Sequence, residues 1–345
     1  MARTPIAAGG AFALASAVAF GATTPLVQRF GREVGPFTTA ALLYAGAALL
    51  SALLPARGDA PLRGADGGRL LAVALLGSVA APVALAWGLR RTSGVAASLL
   101  LNLEAVFTVT LAHVLWREPV GARVRWALAA MVAGGVLLVV QGLGGTFGAG
   151  YGSLAIVGAT LAWAADNVVG RPLADRSATQ VVVAKGGLGA ALSLAIALAV
   201  GEHAPSWPPA VALAACGAIG YGASLHLYLR AQRLVGAART GSIFAAAPFV
   251  GAVLARALGD RAAGIATVAG GAFCAIGVWL HLTEAHDHPH VHASVEHDHA
   301  HRHDDGHHGH HHDAYPASAH SHGHRHDTLS HSHSHGSDIH HGHEH

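Results

Sequence analysis

The stretch "LRRTSGVAASLLLNLEAVF", residues 89–107, comes back later in the chain. Slid forward by 142 or 143 residues, it falls on "AQRLVGAARTGSIFAAAPFV", residues 231–250, with Arg91 on Arg233 and Gly94 on Gly236. The same offset sets Glu118 on Asp260, "GGVLLVV" (134–140) on "IGVWLHL" (276–282), and "AFGATTPLVQRFG" (19–31) on "AWAADNVVGRPLA" (162–174). Segments that return in order at a fixed spacing mark an internally duplicated chain. The nature of the duplicated unit decides the fold.

The surrounding composition identifies that unit. Of 345 residues, 52% are hydrophobic and 12% charged, and the mean hydropathy is +0.43. This balance excludes an ordinary soluble domain. Apolar runs of 18 to 23 residues recur up to His281, bounded by Arg, Gly or Pro, and runs of that length cross a hydrocarbon core of about 30 Å as helices. Ten are expected, near 7–27, 36–55, 69–89, 93–115, 123–142, 150–170, 180–200, 208–229, 239–258 and 263–282. The first runs into Pro25 without a short apolar core and cleavage site, so it reads as a span, not a signal peptide.

The expected fold is an all-α membrane protein. Its ten transmembrane helices form two five-helix repeats, 1–145 and 146–285, followed by a disordered His-rich tail, 286–345. Five is odd, so the second repeat is expected upside down relative to the first. Inverted duplication is a transporter construction, with substrate held near the midplane where the halves meet. With the N-terminus inside, twelve arginines (3, 57, 63, 69, 117, 123, 125, 171, 176, 230, 233, 239) collect on the cytoplasmic side and six (29, 32, 90, 91, 256, 261) on the other. That bias predicts cytoplasmic N- and C-termini. Heavy use of Ala, Gly and Arg points to a bacterium and hence to its cytoplasmic membrane.

Several function classes drop out. Cys216 and Cys274 lie apart in apolar runs and indicate neither a disulfide framework nor a thiolate metal site. "GLGGTFGAG" (142–150) lacks the Lys-Ser/Thr ending of a phosphate-binding loop. Neither a HExxH motif nor a Ser-His-Asp order is present, so no enzyme is expected, no cofactor is required, and nothing points to nucleic acid. The paired glycines of "MVAGGVLLVV" and "TVAGGAFCAIG" suit close helix packing or a homodimer contact.

Residues 7–282 resemble the drug/metabolite transporter superfamily, in particular its EamA-type ten-helix members. "AFGATTPLVQRFGREVGPFTTAALLY" is similar to the family's opening span and the start of its second. "LRRTSGVAASLLLNLEAVFTVTLAHVLWREPV" is similar to its third-to-fifth-span signature, and "AAPFVGAVLARALGDR" matches the corresponding segment of the second half. Two positions depart from the pattern: Leu43 replaces an Arg of the second span, and Ala105 replaces the Pro that follows the Glu. The resemblance implies alternating-access transport of a small organic solute, commonly export, and gate or boundary roles for Glu118 and Asp260.

An ionisable group at membrane depth costs at least about 2.5 kcal/mol on insertion scales, so each one calls for a reason. Glu104, with Asn102 two residues before it, sits near the middle of the fourth span. It is either a protonatable site for a cationic or hydrogen-bonding solute or a helix–helix hydrogen bond. Trp163, Asp166 and Asn167 share one helix face at i, i+3 and i+4 and overlie Thr23 and Thr24 of the first repeat. Asp166 alternatively pairs with Arg171. Lys185, five residues into its span, is expected to snorkel to the interface, with pairing to Asp166 or Glu104 as the alternative. His226 is read as a bundle hydrogen bond or a proton relay.

After His281 the chain changes character. Residues 1–285 carry 19 Lys+Arg against 10 Asp+Glu, whereas residues 286–345 carry 2 against 9 together with 24 histidines. The stretch "HDHPHVHASVEHDHAHRHDDGHHGHHH" (286–312) cannot build a packed core. Its imidazoles at His286, His288, His290, His292, His297, His299, His301, His303, His307, His308, His310, His311 and His312 are candidate ligands for Zn²⁺, Ni²⁺ or Co²⁺. The expected function is therefore secondary transport of a small organic metabolite or drug-like solute across the bilayer, with the tail an accessory divalent-metal segment. A divalent-metal permease and a membrane-anchored metal sensor or buffer are the alternatives.

Overall fold

A computed structural model describes residues 3–54, 60–117, 120–144, 149–174, 176–260 and 264–283, with the backbone segments 287–292, 296–301, 320–325 and 329–334 of the tail. Among the described residues, nine helical segments are long and apolar enough to cross a membrane: Ala7–Phe30, Gly64–Leu89, Gly94–Trp116, Ala122–Leu143, Gly150–Leu173, Ala178–Ala199, Trp207–Val235, Arg239–Ala257 and Ile265–Leu282. Pro36–Ala52 is a shorter apolar helix of 17 residues that fills the place of the second span. The eighth span is longer than its apolar run, because it extends through the polar turn at Arg230 and Arg233.

The repeats are interleaved. The first span packs on the eighth and ninth, and the sixth packs on the third and fourth. These two sets of neighbours are exchanged by the sequence repeat. The second span also packs closely on the eighth, and three further contacts join repeat-related spans directly: second with seventh, fourth with ninth, and fifth with tenth. In the fifth–tenth contact a side chain at Gly134 would stand 2.6 Å from the Gly270 carbonyl oxygen and would crowd Cys274. One at Gly277 would stand 2.7 Å from the Ala127 carbonyl oxygen and would crowd Met131. Each glycine lies 143 positions from its counterpart, and so do the groups it meets. Small residues thus let these helices approach backbone to backbone, which is how apolar spans gain dispersion contacts in lipid.

Four spans depart from regular α-helix, in two repeat-related pairs. The third and eighth spans contain π-helical stretches at Ala74–Ala80 and Ala218–Ala223. The fourth breaks at Leu101–Asn102, where Asn102 Nδ2 donates to the Leu99 carbonyl at 2.8 Å, and the ninth breaks at Ala245–Ala246, just before Pro248. Pro248 explains the second break, since it lacks a backbone donor. In the first repeat Ala105 holds the position expected for a proline, yet the helix still breaks. There the Asn102 side chain competes for the carbonyl that helical pairing would use.

The tail differs from a wholly unpaired chain. β1 (Asp287–His292) pairs antiparallel with β4 (Leu329–Ser334), and β2 (Glu296–His301) with β3 (His320–Arg325). Two-stranded ladders satisfy backbone groups without a core and are marginal alone in water.

Candidate functional site

The irregular stretches of the spans meet around one polar and aromatic cluster. π-Helical backbone leaves carbonyls off the regular ladder, and the Gly77 carbonyl is used twice: Tyr44 Oη donates to it at 2.5 Å and Trp163 Nε1 at 3.0 Å. Gly77 is required here, because a side chain on it would collide with the Asp166 carboxylate and the Lys185 amine. Asp166, buried on the sixth span, accepts from Lys185 Nζ on the seventh. Lys185 therefore turns inward to a carboxylate partner. This corrects the snorkelling expectation: an ion pair inside the bundle satisfies both charges, whereas the interface would satisfy only one. It also replaces Arg171 as the partner of Asp166.

Glu104 lies next to this pair, in the first turn of the half-helix Leu103–Trp116. It accepts from Asn167 Nδ2 at 2.9 Å, which ties it to the residue next to Asp166. Among the described residues, no cation stands within ion-pair distance of its carboxylate. Since Asp166 and Lys185 cancel, an ionised Glu104 leaves the cluster with a net negative charge. Tyr44 and Tyr221 stack with centroids 5.4 Å apart, Trp163 tilts against Tyr221 at 6.4 Å, and Phe20 meets Tyr221 edge-on at 5.9 Å. A carboxylate and stacked aromatic rings within one bundle are the kinds of group that attract organic cations.

The remaining sequence candidates distribute as follows. Thr23 and Thr24 are buried on the first span, with Thr23 Oγ1 bonded to the Ala19 carbonyl at 3.1 Å and set against Gly220 of the second π-helix. Asn102 is buried and spends its amide on the helix break. His226 is not drawn into these contacts: its Nε2 lies 3.3 Å from Ser51 Oγ at the end of the second span, which is the bundle hydrogen bond of its plainer reading. Glu118 lies outside the described residues, as do His286, His303, His307, His308, His310, His311 and His312. His288, His290 and His292 fall in β1, and His297, His299 and His301 in β2.

Sequence reading passed over Tyr44, Phe20 and the two glycines of the π-helices. A signal for the glycines was present, because Gly77 and Gly220 stand 143 positions apart, on the same offset as the repeat. A second polar region lies at the end of the first span. There a cleft of about 590 Å³ is lined by Pro25, Gln28, Arg29, Arg32, Ser93 and Asp260, among others. Its wall at Pro25 is one residue from buried Thr24. At the cleft Asp260 Oδ2 accepts from Val95 N at 3.1 Å, so a carboxylate after the ninth span holds the start of the fourth. On the second span, Glu202 accepts from Phe37 N (3.1 Å), Thr38 N (2.8 Å) and Thr38 Oγ1 (2.7 Å) and serves as the helix cap that Gly35 lacks.

Among the described residues of the helical body no group of three or more His, Cys, Asp or Glu is placed to hold a metal ion. Comparison with known proteins gives a concordant picture. A curated protein of Methanothermobacter thermautotrophicus, described as an uncharacterized transporter, is 29% identical over 192 residues, a match that spans 54% of this chain and 56% of that protein. A solved structure titled only as the crystal structure of a protein superposes with a TM-score of 0.54 at 19% identity, covering 81% of this chain and 96% of the other, and so shares the fold. The EamA-like transporter family matches twice, over residues 7–141 and again over 150–283. With both halves matched end to end, the chain belongs to the EamA-like transporter family.

Proposed function

We propose that this transporter moves a small organic solute across the cell membrane by alternating access, as an exporter with both termini in the cytoplasm. The observation that carries the reading is Glu104: a carboxylate in the first turn after a helix break, bonded to the neutral amide of Asn167, the sequence neighbour of the buried Asp166 that pairs with Lys185. Broken helices at corresponding points of two repeats are the usual frame of a transporter binding site. The solute carries a cationic or hydrogen-bond-donating group that meets Glu104 and an apolar part that lies on the rings. Glu104 takes up a proton when the solute leaves. The cleft at Arg29 and Arg32 supports a two-state mechanism, since it is lined by Pro25 while the adjacent Thr24 is buried.

A divalent-metal permease gains no support from the helical body, where no group of three or more His, Cys, Asp or Glu among the described residues is placed to hold an ion. The test is flux in proteoliposomes, with organic cations, neutral metabolites and Zn²⁺ each imposed as a gradient. Organic flux lost in Glu104→Gln and kept in a chain truncated after Thr283 supports the reading. Zn²⁺ flux, or organic flux indifferent to Glu104→Gln, overturns it.

A further inference from the structure

A groove of about 650 Å³ lies at the surface where the fifth and tenth spans meet. The fifth span contributes Arg123, Trp126, Ala129, Ala130 and Ala133 to its lining, and the tenth adds Phe273. Arg123, Trp126, Ala130 and Ala133 follow one another at intervals of three, four and three residues and so share one helix face. The alanines leave that face hollow where larger side chains would fill it. From Arg123 to Ala133 the helix rises about 15 Å, half of a hydrocarbon core of about 30 Å. The groove is therefore about as deep as one leaflet.

One end of the groove is charged. Arg123, the second residue of its span, is exposed, and its guanidinium carbon stands 5.9 Å from the centre of the Trp279 ring. Trp126 and Trp279 are exposed as well. Tryptophans and a long basic side chain at a span's end mark the level of the lipid headgroups. No acidic residue is among the described residues that line the groove. An apolar trough one leaflet deep, with an uncompensated cation at headgroup level, complements a lipid with an anionic head. We propose that the groove binds one anionic phospholipid, with an acyl chain along the alanines and Phe273 and the phosphate on Arg123. A second copy of the chain fits less well. A two-fold contact sets the same patch of both copies face to face, which would bring two Arg123 side chains together with no acidic lining residue to separate them. Because the fifth and tenth spans belong to different repeats, the lipid joins the two halves from outside.

The test is native mass spectrometry of the full-length protein in detergent, titrated with phosphatidylglycerol and with phosphatidylcholine of the same acyl chains. The spectra report both lipid retention and the number of protein copies. The parent should retain one phosphatidylglycerol in preference to phosphatidylcholine. Arg123→Gln should lower the phosphatidylglycerol affinity about five- to tenfold and leave phosphatidylcholine within about twofold. Arg125→Gln removes the same charge from an exposed arginine that does not line the groove, and should keep phosphatidylglycerol within about twofold of the parent. Ala129→Leu, made at an exposed position, puts a larger side chain into the groove and should weaken both lipids. Equal losses in the two arginine variants would show diffuse attraction to basic residues and would overturn the proposal. Phosphatidylglycerol retention untouched by Ala129→Leu would overturn it too, since the chain would then lie elsewhere. So would a parent dimer that Ala129→Leu converts to monomer, because a second copy would then fill the groove.

Discussion

The two halves of the membrane domain place different chemistry on the same frame. In one, Asp166 of the sixth span lies against Gly77 in the π-helix of the third; in the other, Thr23 of the first span lies against Gly220 in the π-helix of the eighth. The residues correspond at an offset of 143, as do the glycines. One contact carries a buried carboxylate with its lysine partner, and the other a hydroxyl that bonds its own helix. The duplicated scaffold thus supplies two equivalent irregular points, and buried charge is built at one of them. Under the proposed alternating access, symmetry would serve movement between two states, while asymmetry would give the site a side to which a solute can be fixed.

The comparison is broken most severely by removing one member of the ion pair. Lys185→Met leaves Asp166 buried and unpaired, which should destabilise the fold by about 3–5 kcal/mol. The double variant Asp166→Asn/Lys185→Met should recover most of that loss, as read from thermal unfolding in detergent. A double variant no more stable than the single one would mean that the pair is not what holds these helices. Next comes Glu104→Gln, which keeps the shape and the bond to Asn167 but removes the charge. We expect stability within about 1 kcal/mol of the parent and organic-solute flux down by roughly a hundredfold, the size of loss seen when a charge-assisted contact is removed.

Much of the architecture was legible in the sequence, and for physical reasons. Span length is imposed by the bilayer, and duplication leaves a fixed offset, so the ten spans and the doubling could be read from apolar runs and from Arg91 over Arg233. The site was legible only in part. Glu104 and Asp166 stand out because charge is expensive in an apolar span, but their partners come from other spans: Asn167 from the sixth and Lys185 from the seventh. No local pattern encodes such pairings. Lys185 shows the limit clearly, since five residues of depth suit snorkelling and only the packing of the second and seventh spans beside the third brings Asp166 within reach. Tyr44 was missed because an aromatic in an apolar helix is ordinarily core, and only the freed Gly77 carbonyl gives it a role. In the tail the histidines were plain, but the backbone pairing of β1 with β4 and of β2 with β3 was not, because each ladder joins strands distant in sequence.

Two milder substitutions sharpen the comparison between the halves. Gly77→Ala inserts a methyl into the Asp166–Lys185 pair, and Gly220→Ala inserts the same methyl against Thr23. Both overpack, at about 1–3 kcal/mol each. Gly77→Ala should be the worse for flux, because relieving it displaces a carboxylate beside Glu104, whereas at Gly220 the threonine can rotate. Equal flux defects would mean that both π-helices matter only as hinges.

The smallest effect is expected for Thr23→Val. Its hydroxyl is buried but bonds the Ala19 carbonyl of its own helix. That carbonyl also belongs to the α-helical ladder, so its loss leaves no orphaned group and should change stability by less than about 1 kcal/mol. If Thr23 is only the uncharged counterpart of Asp166, flux should stay within about twofold of the parent, which is under about 0.5 kcal/mol. A flux loss near that of Glu104→Gln, with stability unchanged, would mean instead that the solute bonds the hydroxyl. The site would then straddle both halves, with the carboxylates on one side and Thr23 on the other. That result would redraw the division between a symmetric frame and one-sided chemistry, because the second irregular point would have to bind as well as bend.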